Sequence, residues 1–153
     1  MSTIKLRVVS VSTLEAVVAL DQKCFARPWT QGMWEDELHR HYCQLWGAWE
    51  RAPSGNEELV GYSCAWYLAG EVQLQRVAAS KTSRRRGIGR LLVQQILEEA
   101  RAQLCEQVQL EVASSNSPAI ALYNSFGFAE VGRRVGYYRE PPDDAVLMNF
   151  AVN

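Results

Sequence analysis

The stretch SRRRGIGRLL, Ser83 to Leu92, crowds four arginines and two glycines against the start of an amphipathic segment. Upstream, EVQLQRVAA (Glu71–Ala79) is predicted as a strand. Downstream, Leu92, Ile96, Ala100 and Leu104 recur every four residues, with Ile88, Leu91 and Leu97 widening the stripe. That spacing predicts a helix of about four turns. A strand, a glycine turn and a helix in this order gather backbone N–H groups around one concavity. The first-turn donors of a helix have no intrahelical acceptor and carry roughly half a positive charge. Gly87 and Gly89 present no Cβ to obstruct an anion approaching that backbone. Arginines beside a helix's positive end destabilise it unless an anion offsets them, so the segment implies a phosphorylated ligand. A nucleotide P-loop requires Gly-Lys-Ser/Thr, whereas Gly89 is followed by Arg-Leu-Leu. A dinucleotide fingerprint requires a third glycine where Leu92 stands.

The chain has 153 residues, 48% hydrophobic and 22% charged, which suits one domain, residues 1–153, with one core. Its net charge of −1 gives no overall field toward nucleic acid or a membrane surface, so one arginine cluster on a neutral domain is a poor nucleic-acid footprint. The apolar runs fall short of the roughly 20 residues that span a bilayer, and MSTIKLRVVS lacks a signal-peptide core. A cytoplasmic protein, monomeric or weakly dimeric, is expected. Cys24, Cys43, Cys64 and Cys105 show no CxxC pair and no nearby histidines, so free thiols and no metal are expected. His39 and His41, flanking Arg40, are read as a surface helix end rather than as metal ligands.

IKLRVV (Ile4–Val9) alternates apolar and charged residues as a strand does. Ser12 and Glu15 fit a capping box opening a helix that runs to about Cys24. RPWTQGMWEDELHRH predicts a short helix with Thr30 as N-cap and Trp34 stacked on Leu38. YCQLWGAWE and LVGYSCAWYL form a hairpin across RAPSGNEE. QVQLEVA is a strand, and SPAIALYNSFGF a short helix with Ser117 as N-cap, Pro118 at its first position and Gly127 past its end. FAEVGRRVGYY and DAVLMNF are two last strands. The order β-α-α-β-β-β-α-β-α-β-β predicts an α/β fold with mixed strand directions.

Two patterns carry a family resemblance. Arg84-Arg85-Arg86-Gly87-Ile88-Gly89 resembles the Arg/Gln-x-x-Gly-x-Gly/Ala pyrophosphate loop of the GCN5-related N-acetyltransferase (GNAT) family. Asn116, Ala119, Leu122, Tyr123, Gly127 and Phe128 resemble its later Asn-x-x-Ala-x-x-Leu-Tyr-x-x-x-Gly-Phe segment in register. RPWT, LEV and GYY resemble the bacterial ribosomal-protein alanine N-acetyltransferase type within it. Similarity covers roughly Phe25 to Phe150, strongest from Leu74 to Tyr138 and weakest over Tyr42–Tyr67. QRVAAS departs from that type, with Arg76 and Ala79 where an apolar or Asn residue and Val are commoner.

The resemblance implies a mixed, mostly antiparallel sheet of about seven strands flanked by about four helices. It implies transfer of acetyl from acetyl-CoA, by direct attack in a ternary complex, to the free α-amine of an N-terminal alanine, the acceptor being a ribosomal protein. The alternation in VQLEV puts Val108, Leu110 and Val112 on one face and Glu111 on the other. On that evidence alone Glu111 is a surface glutamate; the resemblance makes it the general base. Spacing alone makes Tyr123 a core aromatic and Asn116 a turn or cap. The resemblance makes Tyr123 the proton donor to the departing thiolate and puts Asn116 on the CoA arm. It likewise puts the backbone of Val77, Ala78 and Ala79 on the pantetheine and acetyl carbonyl, and Arg84, Arg85, Arg86, Gly87, Ile88, Gly89 and Arg90 on the pyrophosphate. Pro28, Trp29, Tyr137 and Tyr138 are candidates for a slot admitting a small first residue, the aromatics serving equally well as core or rim. A small-amine acetyltransferase and a non-catalytic CoA-binding module remain as alternatives on the same fold.

Overall fold

The computed structural model describes residues 3–83 and 87–152; Arg84, Arg85 and Arg86 lie outside the described residues. Its elements follow the predicted order: β1 (Ile4–Val8), α1 (Leu14–Cys24), α2 (Gln31–His39), β2 (Cys43–Arg51), β3 (Glu57–Leu68), β4 (Glu71–Ala79), α3 (Ile88–Ala102), β5 (Gln107–Ala113), α4 (Ser117–Phe126), β6 (Ala129–Arg139) and β7 (Pro142–Ala151). Strands join in the order β1-β2-β3-β4-β5-β7-β6. β1–β2, β2–β3, β5–β7 and β6–β7 are antiparallel, and β4 and β5, joined through α3, are parallel. This is the mixed seven-stranded sheet with four helices that the sequence leads one to expect. Among the described residues no helix is long and apolar enough to cross a membrane.

The chain divides into two compact units, Met1–Trp66 with Arg76–Ile96, and Tyr67–Gln75 with Leu97–Asn153. In the first, alternation along β2 and β3, interrupted by a register shift between Ala48 and Trp49 that leaves Val60 unpaired in the ladder, supplies two apolar faces. Leu45, Tyr62 and Cys64 pack with Val17, Val18 and Leu20 of α1 and Trp34 of α2. On the other face Ala48 and Val60 pack with Ile88 and Leu92 of α3. Gly61 makes that second contact close. A Cβ built there falls 2.5 Å from Ile88 Cγ2 and 2.9 Å from the Ala78 carbonyl oxygen, nearer than a side chain tolerates. In the second unit Val72, Leu74, Val108, Leu110, Val112, Val146 and Met148 are buried along β4, β5 and β7.

Three local assignments differ from the sequence reading. The capping box uses Ser10 and Thr13, the Ser10 N–H donating to Thr13 Oγ1 at 2.9 Å, because a single 3-10 turn (Val11–Thr13) precedes α1. Asn116, not Ser117, caps α4; its Oδ1 accepts the Ala119 N–H at 3.3 Å. Leu104 does not continue the α3 stripe. It adopts φ 58° and is 85% exposed. Its N–H donates to the Arg101 carbonyl at 3.1 Å, and the Cys105 N–H donates to that of Ala100 at 2.8 Å. These are the two bonds of a Schellman motif, with leucine in the left-handed position usually given to glycine. The turn buries Cys105 in place of Leu104.

Candidate active site

In the first unit β4 leads through a 3-10 turn (Lys81–Ser83) toward α3. Gly87 holds φ +76° with no atom within 4 Å of a built Cβ, and its carbonyl accepts the Leu91 N–H at 3.0 Å. Gly87 is therefore the N-cap, and the amides of Ile88, Gly89 and Arg90 form the first turn of a 15-residue helix. Helix geometry gives these three donors no intrahelical acceptor, and Gly87 itself adds no side chain to their approach. The described part of the turn thus fits a diphosphate. Ile88 itself is buried against β3 and anchors the turn.

Val77 and Ala79 project toward α3, and Ala78 toward α1 and α2. The parallel ladder between β4 and β5 pairs Glu71–Leu74 with Gln107–Leu110, so Val77–Ala79 lie beyond its end. Arg76, read from sequence only as a departure, has a defined place. Its Nη1 donates to Asp21 Oδ1 at 2.7 Å, and its Nη2 to the Arg27 carbonyl at 3.3 Å. The guanidinium stands 3.9 Å from the Phe25 ring centroid and 4.5 Å from that of Trp29. The fully buried Asp21 also accepts the Tyr62 hydroxyl at 2.5 Å and the Trp29 N–H at 2.7 Å. Trp29 packs on Trp34, ring centroids 4.6 Å apart, while the adjoining Pro28 is exposed. Trp29 is thus half-buried against the core, with Pro28 beside it at the surface.

In the second unit Val108, Leu110 and Val112 are buried and Glu111 is exposed, as the alternation predicts. Arg134 of β6 reaches Glu111, Nη2 to Oε1 3.4 Å, and its guanidinium carbon lies 5.6 Å from the Tyr137 ring centroid. Arg134 therefore brings Glu111 and Tyr137 into one group. Sequence reasoning missed it, although it lies within the quoted GRRVGYY. Tyr137 and Tyr138 meet edge to face at 5.1 Å, where Gly136 donates its N–H to Asp144 Oδ1 at 2.8 Å and the β6–β7 register shifts.

Tyr123 of α4 is buried, its ring 5.5 Å from that of Phe128. Burial raises its phenol pKa well above the ordinary value, so the hydroxyl keeps its proton. Asn116 spends its oxygen on the α4 cap and remains exposed. The loop before it is tied to β7. Ser114 Oγ and Ser115 Oγ donate to Asp143 at 2.6 Å and 2.5 Å. These bonds, that of Ser114 foremost, hold the Asp143 carboxyl down at about 2. Against an unfolded value near 3.9, a lowered folded pKa adds stability that is complete above about pH 4 and lost as pH falls toward 2. Asp143→Asn is expected to remove this part of the acid dependence, measured as thermal midpoint against pH from 5 to 2.

The sequence model of the acetyltransferase (GNAT) family matches residues 14–128, well over half of the chain. The chain belongs to the GNAT family. It is accordingly an N-acetyltransferase with acetyl-CoA as acetyl donor. The ribosomal protein bS18-alanine N-acetyltransferase of Salmonella typhimurium (strain LT2) is 27% identical over 148 residues, 95% of this chain and 96% of that protein. The N-alpha-acetyltransferase RimI of Mycobacterium tuberculosis is 36% identical over 128 residues, 79% of this chain and 74% of its own. The crystal structure of the ribosomal-protein-S18-alanine N-acetyltransferase of Escherichia coli superposes with TM-score 0.86 at 25% identity, covering 100% of this chain and 95% of that one. Arabidopsis thaliana NAA60, solved with acetyl-CoA, gives TM-score 0.90 at 23% identity over 99% of both chains, a likeness of fold. Within this GNAT chain the glycine turn begins the long helix and the buried tyrosine sits on the Asn-capped helix, each where the two sequence patterns put it.

Proposed function

We propose that this GNAT enzyme acetylates the free α-amine of a protein whose first residue is alanine, a ribosomal protein being the natural acceptor, and that it works in the cytoplasm as a monomer or weak dimer without a catalytic metal. The observation that carries this reading is the nearly end-to-end similarity to the Salmonella bS18-alanine N-acetyltransferase. Glu111 takes a proton from the α-ammonium or from the attacking amine. The amine nitrogen then bonds to the thioester carbonyl carbon, the carbon–sulfur bond breaks, and Tyr123 protonates the departing thiolate. An α-amino group has a pKa of about 7.7–8.0, so a useful fraction is already neutral at pH 7 and little is asked of the base.

The amides from Gly87 to Arg90, with Arg84, Arg85 and Arg86, hold the pyrophosphate. Val77, Ala78 and Ala79 offer strand-end backbone to the pantetheine and to the carbonyl oxygen as charge develops there. Asn116 contacts the CoA arm through its amide NH2, its oxygen being spent on the cap. Pro28, Trp29, Tyr137 and Tyr138 border the acceptor's first residue. Full-length protein incubated with acetyl-CoA and an Ala-initiated peptide, beside the N-blocked peptide and a panel of polyamines, aminoglycosides and amino acids, tests the reading by mass spectrometry. A gain of one acetyl group on the free Ala peptide alone is expected. Turnover of a small amine with none of the peptide overturns it.

A further inference from the structure

Glu37, Cys43 and Cys64 come from α2, β2 and β3, and their side chains converge. The two sulfurs are 3.6 Å apart, Cys64 Sγ is 3.8 Å from Glu37 Oε2, and all three donor atoms lie within 4.8 Å of one another. Among the described residues this is the one cluster of three such groups that could hold a metal ion. With Zn–S near 2.3 Å and Zn–O about 2.0–2.2 Å, neighbouring ligand atoms on a tetrahedral ion stand roughly 3.6–3.8 Å apart. The Cys43–Cys64 and Cys64–Glu37 separations fall in that range. A disulfide would need the sulfurs to close to about 2.05 Å. The ladder sets Cys43 opposite Trp66 and Cys64 opposite Leu45, so the two cysteines are diagonal rather than directly paired.

We propose that Glu37, Cys43 and Cys64 bind one Zn2+ ion, leaving a fourth position for water. Binding expels the two thiol protons and forms two Zn–S bonds and one Zn–O bond, with no change in oxidation state. Two thiolates and one carboxylate then face Zn2+ and the Arg40 guanidinium, whose Nε donates to Glu37 Oε1 at 3.3 Å, so the group is neutral as a whole. Trp66 Nε1–H donates to Glu37 Oε2 at 2.7 Å and Arg40 lies 5.6 Å from the Trp66 ring centroid, which fixes the carboxylate's orientation as an outer shell does. Glu37 and Cys64 are buried and Cys43 is half-buried, giving the ion its entry on the Cys43 side. The ion would tie the C-terminal turn of α2 to the β2–β3 hairpin.

The test uses the full-length chain, reduced and freed of metal with a chelator that is then removed. Co2+ titration should give a thiolate-to-cobalt charge-transfer band saturating at one ion per chain and displaced by Zn2+. Zn2+ should also raise the thermal midpoint. Cys43→Ser and Cys64→Ser should each abolish both effects, and Glu37→Gln should weaken Zn2+ binding at least tenfold. The Cys24→Ser/Cys105→Ser double variant should behave as the parent. Circular dichroism verifies that each variant is folded; if the buried Cys64→Ser chain is not, half-buried Cys43→Ser decides. Absence of the band in the reduced parent, or its persistence in Cys43→Ser, overturns the proposal.

Discussion

Replacing Glu111 by glutamine is expected to slow acetyl transfer by about 10²–10⁴-fold, the range in which general acid–base groups act, while acetyl-CoA affinity stays within about twofold of the parent. Glutamine keeps the length and the hydrogen-bonding oxygen of the side chain, so its contact with Arg134 loses charge rather than position. Acetyl-CoA affinity is expected to hold because the proposed function gives the pyrophosphate to the Gly87–Arg90 turn and the pantetheine to Val77–Ala79. The size of the loss should shrink as pH rises toward 9, where the acceptor amine is already neutral and needs no base. Steady-state rates with a saturating Ala-initiated peptide at pH 6.5, 7.5 and 9, together with calorimetry on acetyl-CoA, check both statements. A variant within tenfold of the parent at pH 6.5 removes Glu111 from the role of base.

Arg76→Met is expected to cost about 3 kcal/mol of stability. Methionine keeps an unbranched apolar stem against Phe25 and Trp29 but leaves the buried carboxylate of Asp21 without its cation. Stripping one partner from a buried ion pair costs about 3–5 kcal/mol. The hydroxyl of Tyr62 and the N–H of Trp29 still serve Asp21 and keep the loss at the low end. For a chain of this size that is a fall of roughly 6–12 °C in thermal midpoint. Asp21→Asn/Arg76→Met should recover part of it, since no buried charge is then left unpaired. The same lesion frees the Phe25–Trp29 segment from β4, so the KM for the peptide should rise more than kcat falls. A loss below about 0.5 kcal/mol would mean that the pair is screened and that the segment is held by ring packing alone.

The sequence makes regular elements legible where a period repeats for several turns. Helix α3 and strands β4 and β5 carry apolar residues at spacings that only one backbone geometry places on one face, and they were readable almost to their ends. Caps were less so. The Ser12–Glu15 pattern satisfies the rule for a box as well as Ser10 and Thr13 do, and only the extra 3-10 turn decides between them. Leu104 fits the helical period yet sits in a left-handed turn, a preference no neighbouring residue announces. Strand order is harder still: nothing in FAEVGRRVGYY or DAVLMNF says that β7 slips between β5 and β6. Arg134 meets Glu111 only through that order, and Glu37, Cys43 and Cys64 only through the β2–β3 register and the seating of α2. Groups assembled from distant segments have no spacing to read. Tyr123 and Glu111 are proposed because the family pattern marks them, while alternation or helical spacing by itself describes ordinary core and surface.

The bare backbone at Gly61 has a bearing on donor recognition. Because β3 offers no side chain there, the α3 axis settles against the sheet with Ile88 and Leu92 at near-minimal distance. The height of that seat is also the height of the amides one residue away, at the turn beginning with Gly87. In the proposed function that turn holds the coenzyme's pyrophosphate, so a mid-strand residue would set part of the grip, and even a single added methyl group would act as a shim under a hinge.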